Sequence, residues 1–226
     1  MAGALFAPVK TFESIAQRPT WLAPLILWTV VSIVVTAIVL PKMDFERMAR
    51  QQMEKSGQTI SEERLQEIAQ QQKKIGGAIA YVFAGATPAI LALLVAVIFW
   101  GSLKAFGWDS TFRQAFGVTA HAFLPGIVGA LLLVPVLQAH ESVDPRGIGD
   151  LLRSNLGFLV ERDMSKVLHS LLASVDVFSF WSLGLFVVGF AAAANVSRKQ
   201  SASVILTLWF LFVLGKAGVA ALGFGG

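Results

Sequence analysis

The sequence predicts an all-α polytopic membrane protein: five transmembrane helices, proline-kinked central spans and a helical hairpin outside the bilayer. Three observations carry this prediction. Of 226 residues, 55% are hydrophobic and only 14% charged, against roughly 25% charged in an ordinary soluble domain. Five apolar runs reach the ~20 residues that cross a hydrocarbon core about 30 Å thick. The charges gather between those runs, above all in residues 41–74, PKMDFERMARQQMEKSGQTISEERLQEIAQQQKK.

Residues 1–20 precede the first span. Phe6, Phe12 and Ile15 lie near Lys10 and Arg18, which suits an amphipathic segment resting on the membrane surface. There is no early basic region followed by an apolar run and a small-residue cleavage site. The first span, WLAPLILWTVVSIVVTAIVL at 21–40, is therefore expected to remain in the mature protein. Pro41 and Lys42 stop it.

The 41–74 connection reads as two helical stretches meeting at Gly57. Phe45, Met48 and Met53 stripe the first, and Ile60, Leu65 and Ile68 the second. Thr59 with Glu62 has the spacing of a capping box. The segment is either a solvated connector or a docking surface for a protein partner.

Spans two and three, 75–100 and 115–137, contain Pro88 and Pro125. Each proline removes a backbone donor and crowds the preceding turn, so each is expected to kink its helix. Residues 140–164 carry turn chemistry at Asp144, Pro145 and Gly147. Ile148, Leu151, Leu152, Leu156 and Leu159 follow at helical spacing and predict an interfacial helix. Spans four and five occupy 167–195 and 203–222. The short connections near 107–111 and 197–200 make antiparallel hairpins of spans two with three and four with five. The two hairpins do not align convincingly as an internal repeat.

Span four contains SVDVFSFWSLGLFVVGF, which places Asp176 in an apolar run. Ser165, His169, Asp176 and Ser179 fall in one sector at helical spacing and predict a polar stripe facing the bundle. An isolated carboxylate at a helix centre costs roughly 2.5–3.5 kcal/mol on insertion scales, so a partner is expected. Lys216 on span five is predicted to sit at the same depth. Asp176 and Lys216 are therefore read as an intramembrane pair.

Other chemistry finds no foothold. With no cysteine, thiolate metal sites, disulfides and cysteine nucleophiles are excluded. His121, His140 and His169 are scattered without ligand spacing, and no phosphate loop, HExxH or GxSxG occurs. No metal, cofactor or catalytic residue is expected. The net charge of +4 is spread along the chain, and no basic run interleaves with exposed aromatics, which argues against nucleic acid.

The opening FAPVKTFESIAQRPTWLAPL, the proline-bearing central spans, and VDVFSFWSLGLFVVGF followed by a short basic turn resemble the bacterial branch of the Yip family. These are five-span membrane proteins named for binding Ypt/Rab GTPases in eukaryotes. The resemblance covers most of the chain except residues 41–74. It implies an N-terminus in the cytoplasm and a C-terminus across the membrane, in the bacterial cytoplasmic (inner) membrane. This breaks a tie, since counting Lys and Arg alone favours the opposite orientation. The resemblance further implies a non-enzymatic membrane-organising or partner-binding scaffold. Its partners would be the lipid bilayer, a membrane or cytosolic protein, or a second copy of the chain. GTPase binding is not carried over, because only 20 residues precede span one. The alternative is a small ion or solute transporter using Asp176 and Lys216 with His121, since intramembrane ionisable residues commonly mark ion paths.

Overall fold

A computed structural model describes residues 2–56, 61–144, 147–160 and 164–222. Among these all the regular elements are helical, and one isolated backbone bridge joins Asn155 and Asp176. Five helical stretches are long and apolar enough to cross a membrane: Leu22–Lys42, Glu62–Ala105, Phe112–Gln138, Val177–Ala194 and Arg198–Ala221.

Two short helices, α1 (Ala2–Phe6) and α2 (Pro8–Gln17), open the chain. α2 is amphipathic as expected, but its apolar side enters the bundle. Phe12 and Ile15 are buried in the main core, and two glycines make room for them. A Cβ on Gly117 would lie 3.2 Å from Ile15, and one on Gly189 would lie 2.9 Å from Phe12 and 2.5 Å from Val118. Such close approach is the use to which membrane bundles put small residues.

The first span is α3 (Leu22–Val39), extended by a 3₁₀ turn at Leu40–Lys42. α4 (Phe45–Ser56) then packs against the start of α5 (Glu62–Ala105). Thr59 and Gly57 lie outside the described residues. The N-cap of α5 is Ser61, whose side chain accepts from Arg64 N at 3.3 Å. At 44 residues and 1.5 Å per residue, α5 is about 66 Å long, twice the ~30 Å of a hydrocarbon core. It runs without a break from the hairpin into the second span.

Pro88 is buried inside α5, on the same side as Ala84, Ala92 and Ala96. That small-residue face meets α3 and α6 (Phe112–Ala122), while Val82, Phe83, Leu94 and Ile98 on the other side are exposed and face lipid. Pro125 acts differently from expectation. The third span is divided at Phe123, and Pro125 stands in the first turn of a new helix, α7 (Leu124–Gln138). A proline there is tolerated because the first-turn N–H groups have no intrahelical partner. Pro135 is the proline inside α7.

The predicted interfacial helix also differs. Only α8 (Ile148–Leu151) is α-helical; Arg153 takes a left-handed φ of 51°, and a 3₁₀ helix covers Leu156–Leu159. Asn155 enforces this, because its side chain accepts from Gly157 N at 2.8 Å and donates to Gly149 O at 3.0 Å. α9 (Lys166–Leu172), α10 (Val177–Ala194) and α11 (Arg198–Ala221) complete the chain. α10 is the central element, packing on α2, α6, α7 and α11. Its Phe186 and Phe190 each lie 5.0 Å, ring centre to ring centre, from Phe99 of α5, and Phe186 lies 5.4 Å from Phe123.

The two hairpin turns share a device. Thr111 with Gln114 and Ser197 with Gln200 both form complete capping boxes at the start of the returning helix. Gln114 also donates to Ala16 O at 2.8 Å, which ties α2 to this face. On the opposite face, Lys42 Nζ donates to His140 O at 2.6 Å and Val143 N to Lys42 O at 3.0 Å. That joins the hairpin connection to the 139–176 connection.

Candidate functional site

Asp176 and its surroundings form the polar constellation at the end of spans four and five opposite their connecting turn. Span four does not extend back to 167 as one helix. α9 ends at Leu172, and the chain then turns through Ala173–Val175 before α10 begins at Val177. Asp176 is the N-cap of α10, half-buried, with its Oδ2 accepting from Ser179 N at 2.8 Å. On its backbone side, Leu156 N donates to Val175 O at 3.2 Å and Val177 N to Ser154 O at 3.1 Å. A carboxylate at this position satisfies an orphan N–H and meets the positive end of the helix dipole. The apolar run accepts Asp176 because the residue begins the helix rather than interrupting it.

The stripe expected along one helix is therefore distributed over two. Ser165 is the N-cap of α9, accepting from Leu168 N at 3.2 Å. His169, on α9, is buried, and its Nε2 lies 3.0 Å from Asp150 Oδ2. Ser179 is in the first turn of α10, where its backbone is the group that Asp176 caps. Lys216 is half-buried on α11. Among the described residues no ion pair joins Lys216 to Asp176, whose carboxylate is occupied as a cap.

His121 lies in the core just before the break of span three, its Nδ1 2.9 Å from Gly117 O. The residues around the break were not legible as such. The signal was available in Pro125, whose spacing after Phe123 fits a helix start as well as a kink. The His169–Asp150 pair was also missed, since 19 residues separate its members.

Chemically, the His169–Asp150 pair has the base-and-orienter half of a catalytic triad. Among the described residues the ring makes no bond to a hydroxyl; Ser174 Oγ donates instead to Ser170 O at 2.8 Å. No cluster of three or more His, Asp or Glu side chains that could hold a metal ion occurs among them either. What the geometry does accomplish is mechanical. Asp150–His169 and Asn155–Asp176 pin the 148–160 segment to α9 and to the start of α10.

Comparison with known proteins places this architecture. A Yip1 domain matches residues 2–219. The chain belongs to the Yip1-domain family. The Yip1 match spans everything from α1 to the last turns of α11, including the 41–74 hairpin. The chain is also similar to "Membrane protein YknW" of Bacillus subtilis (strain 168), with 25% identity over 218 residues, covering 94% of this chain and 87% of that protein. No solved structure shows a significant match.

Proposed function

We propose that this Yip1-domain protein is a non-enzymatic scaffold of the bacterial cytoplasmic membrane that organises membrane or binds a protein partner. The observation that carries the reading is the hairpin of α4 with the first turns of α5. The 13 residues from Glu62 to Lys74 reach about 20 Å beyond the expected start of span two at 1.5 Å per residue. They do so on a helix continuous with the span. The outer surface bears ion pairs of its own, Arg50–Glu62 at 3.0 Å and Arg64–Glu67 at 2.7 Å. A rigid charged projection coupled to a membrane anchor suits partner recognition, where exposed charges steer encounter and choose partners.

Site-specific photo-crosslinking from Glu63 and Gln66 in native membranes tests this. A discrete protein adduct from either position, absent when the same probe is carried at the exposed Val82 instead, supports the scaffold. Absence of any protein adduct from either position contradicts it.

The transport reading rests on His121 beside the break in span three, since discontinuous helices often build transporter sites. Proteoliposomes holding the purified chain decide it: ion flux abolished by His121→Phe would favour transport over scaffolding, and tightness to ions would remove it.

A further inference from the structure

α2 packs against α10, and beside the turn into α11 the two leave a cleft of about 340 Å³ between them. Short side chains make the room, since Ala16 of α2 and Ala191 and Ala192 of α10 line it. Two charged side chains line it as well, Glu13 from α2 and Arg198 from the first turn of α11. Both are exposed, and among the described residues neither side chain makes an ion pair or a hydrogen bond. Each charge also opposes the helix end beside it. α10 closes at Asn195, whose left-handed φ of 52° turns its own N–H and that of Val196 onto Ala191 O. The carbonyl of Ala192 is left without a backbone donor. Such a helix end is partly negative and favours a cation, yet Glu13 brings an anion to it. Arg198 stands at the N-terminus of α11, which is partly positive and favours an anion. A ligand carrying both a cation and an anion answers both mismatches.

We propose that this cleft binds the headgroup of phosphatidylethanolamine, with its ammonium on Glu13 and its phosphodiester on Arg198. Position selects a lipid. The α10–α11 turn ends two candidate membrane spans, so the cleft stands where hydrocarbon gives way to headgroups. One of its apolar lining residues, Val188, lies seven residues back from Asn195 into the span, about 10 Å along the helix. Charge selects the headgroup. A primary ammonium has three N–H donors for the Glu13 carboxylate and the open carbonyl end of α10. The trimethylammonium of phosphatidylcholine has none and is recognised by aromatic faces. No aromatic side chain lines the cleft among the described residues. A purely anionic headgroup meets Arg198 but is repelled by Glu13. The proposal goes beyond the scaffold reading and stands or falls whether or not a protein partner is found.

The delipidated full chain is held in detergent with equimolar phosphatidylethanolamine and phosphatidylcholine of identical acyl chains, and bound lipid is counted by native mass spectrometry. The expected result is about tenfold more bound phosphatidylethanolamine than phosphatidylcholine, the preference that one charge-assisted hydrogen bond supplies. Glu13→Gln brings that ratio close to one. Arg198→Gln lowers the amount of phosphatidylethanolamine bound by about tenfold, because the phosphodiester loses its partner. Both variants melt close to the unaltered chain in phosphatidylcholine alone, since the two side chains are exposed. Each of five other results overturns the proposal. A ratio near one for the unaltered chain does so without any variant. Phosphatidylglycerol bound as well as phosphatidylethanolamine means that the chain reads anionic charge alone. A ratio that survives Glu13→Gln, or an amount that survives Arg198→Gln, places the lipid elsewhere. Melting of both variants well below the unaltered chain in phosphatidylcholine means that Glu13 and Arg198 serve each other in the fold. Displacement of the lipid by an equal concentration of soluble glycerophosphoethanolamine means that the cleft takes a free zwitterion.

Discussion

Asp176 shows what a single carboxylate does in an apolar setting. As an N-cap it accepts from Ser179 N, and loss of such a cap costs about 1 kcal/mol, whereas asparagine caps about as well as aspartate. Asp176→Ala is therefore expected to lower stability by about that amount and Asp176→Asn by only a few tenths, measured by denaturant unfolding in detergent micelles. Lys216→Met should add independently to either. If Asp176→Asn were as harmful as Asp176→Ala, or the double variant with Lys216→Met fell short of the additive sum, charge pairing rather than capping would hold the site. Gly189 makes a second point at this scale. Any Cβ there meets Val118 at 2.5 Å and Phe12 at 2.9 Å, so Gly189→Ala should cost about 1–3 kcal/mol by overpacking. Phe12→Ala alone should cost about 3–5 kcal/mol through the cavity it leaves. In the double variant the new methyl partly occupies that cavity. A thermal-shift series giving a loss clearly below the sum would be the signature, and strict additivity would show that α2 is not seated against α10.

At the scale of elements, the hairpin is expected to be detachable. Ala49, Leu65 and Ala69 are buried where α4 meets α5, and the hairpin's ion pairs are internal to it. Replacing residues 44–70 with a short linker is expected to leave insertion and the five-span fold intact, since changes of loop length cost little closure entropy. Protease protection and size-exclusion behaviour in detergent check this; aggregation or lost insertion would mean that α4 also braces the spans. The same scale explains what the sequence disclosed. Five spans and a polar hairpin were legible because hydropathy over ~20 residues is a strong signal. Backbone breaks were not, because hydropathy is blind to helix continuity. The runs through Phe123 and through Ala173–Asp176 stay apolar while the helix stops. Asp176 with Ser179 three residues on has cap spacing, yet in apolar surroundings the same residues read as a buried stripe. α2 was legible as amphipathic, but the sequence alone does not distinguish an apolar face lying on lipid from one inserted between α6 and α10. Gly117 and Gly189, which decide it, lie more than 100 residues downstream.

For the whole molecule the central claim is a five-span Yip1 bundle with two unlike faces. One carries the tight turns around Asp109 and Ser197. The other carries the α4–α5 hairpin and the 139–176 connection, tied together through Lys42. The proposed orientation puts the tight turns in the cytoplasm and the hairpin outside. The chain lacks cysteine, so a single introduced cysteine reports only on its own position. Glu63 lies in the projecting turns of α5, and the Asp109 side chain is fully exposed in the tight turn between α5 and α6. The most direct measurement is therefore labelling of Glu63→Cys and Asp109→Cys in intact cells with a membrane-impermeant maleimide. The account predicts that Glu63→Cys is labelled at once and Asp109→Cys only after permeabilisation. Labelling of both positions in intact cells, or of Asp109→Cys alone, would contradict it.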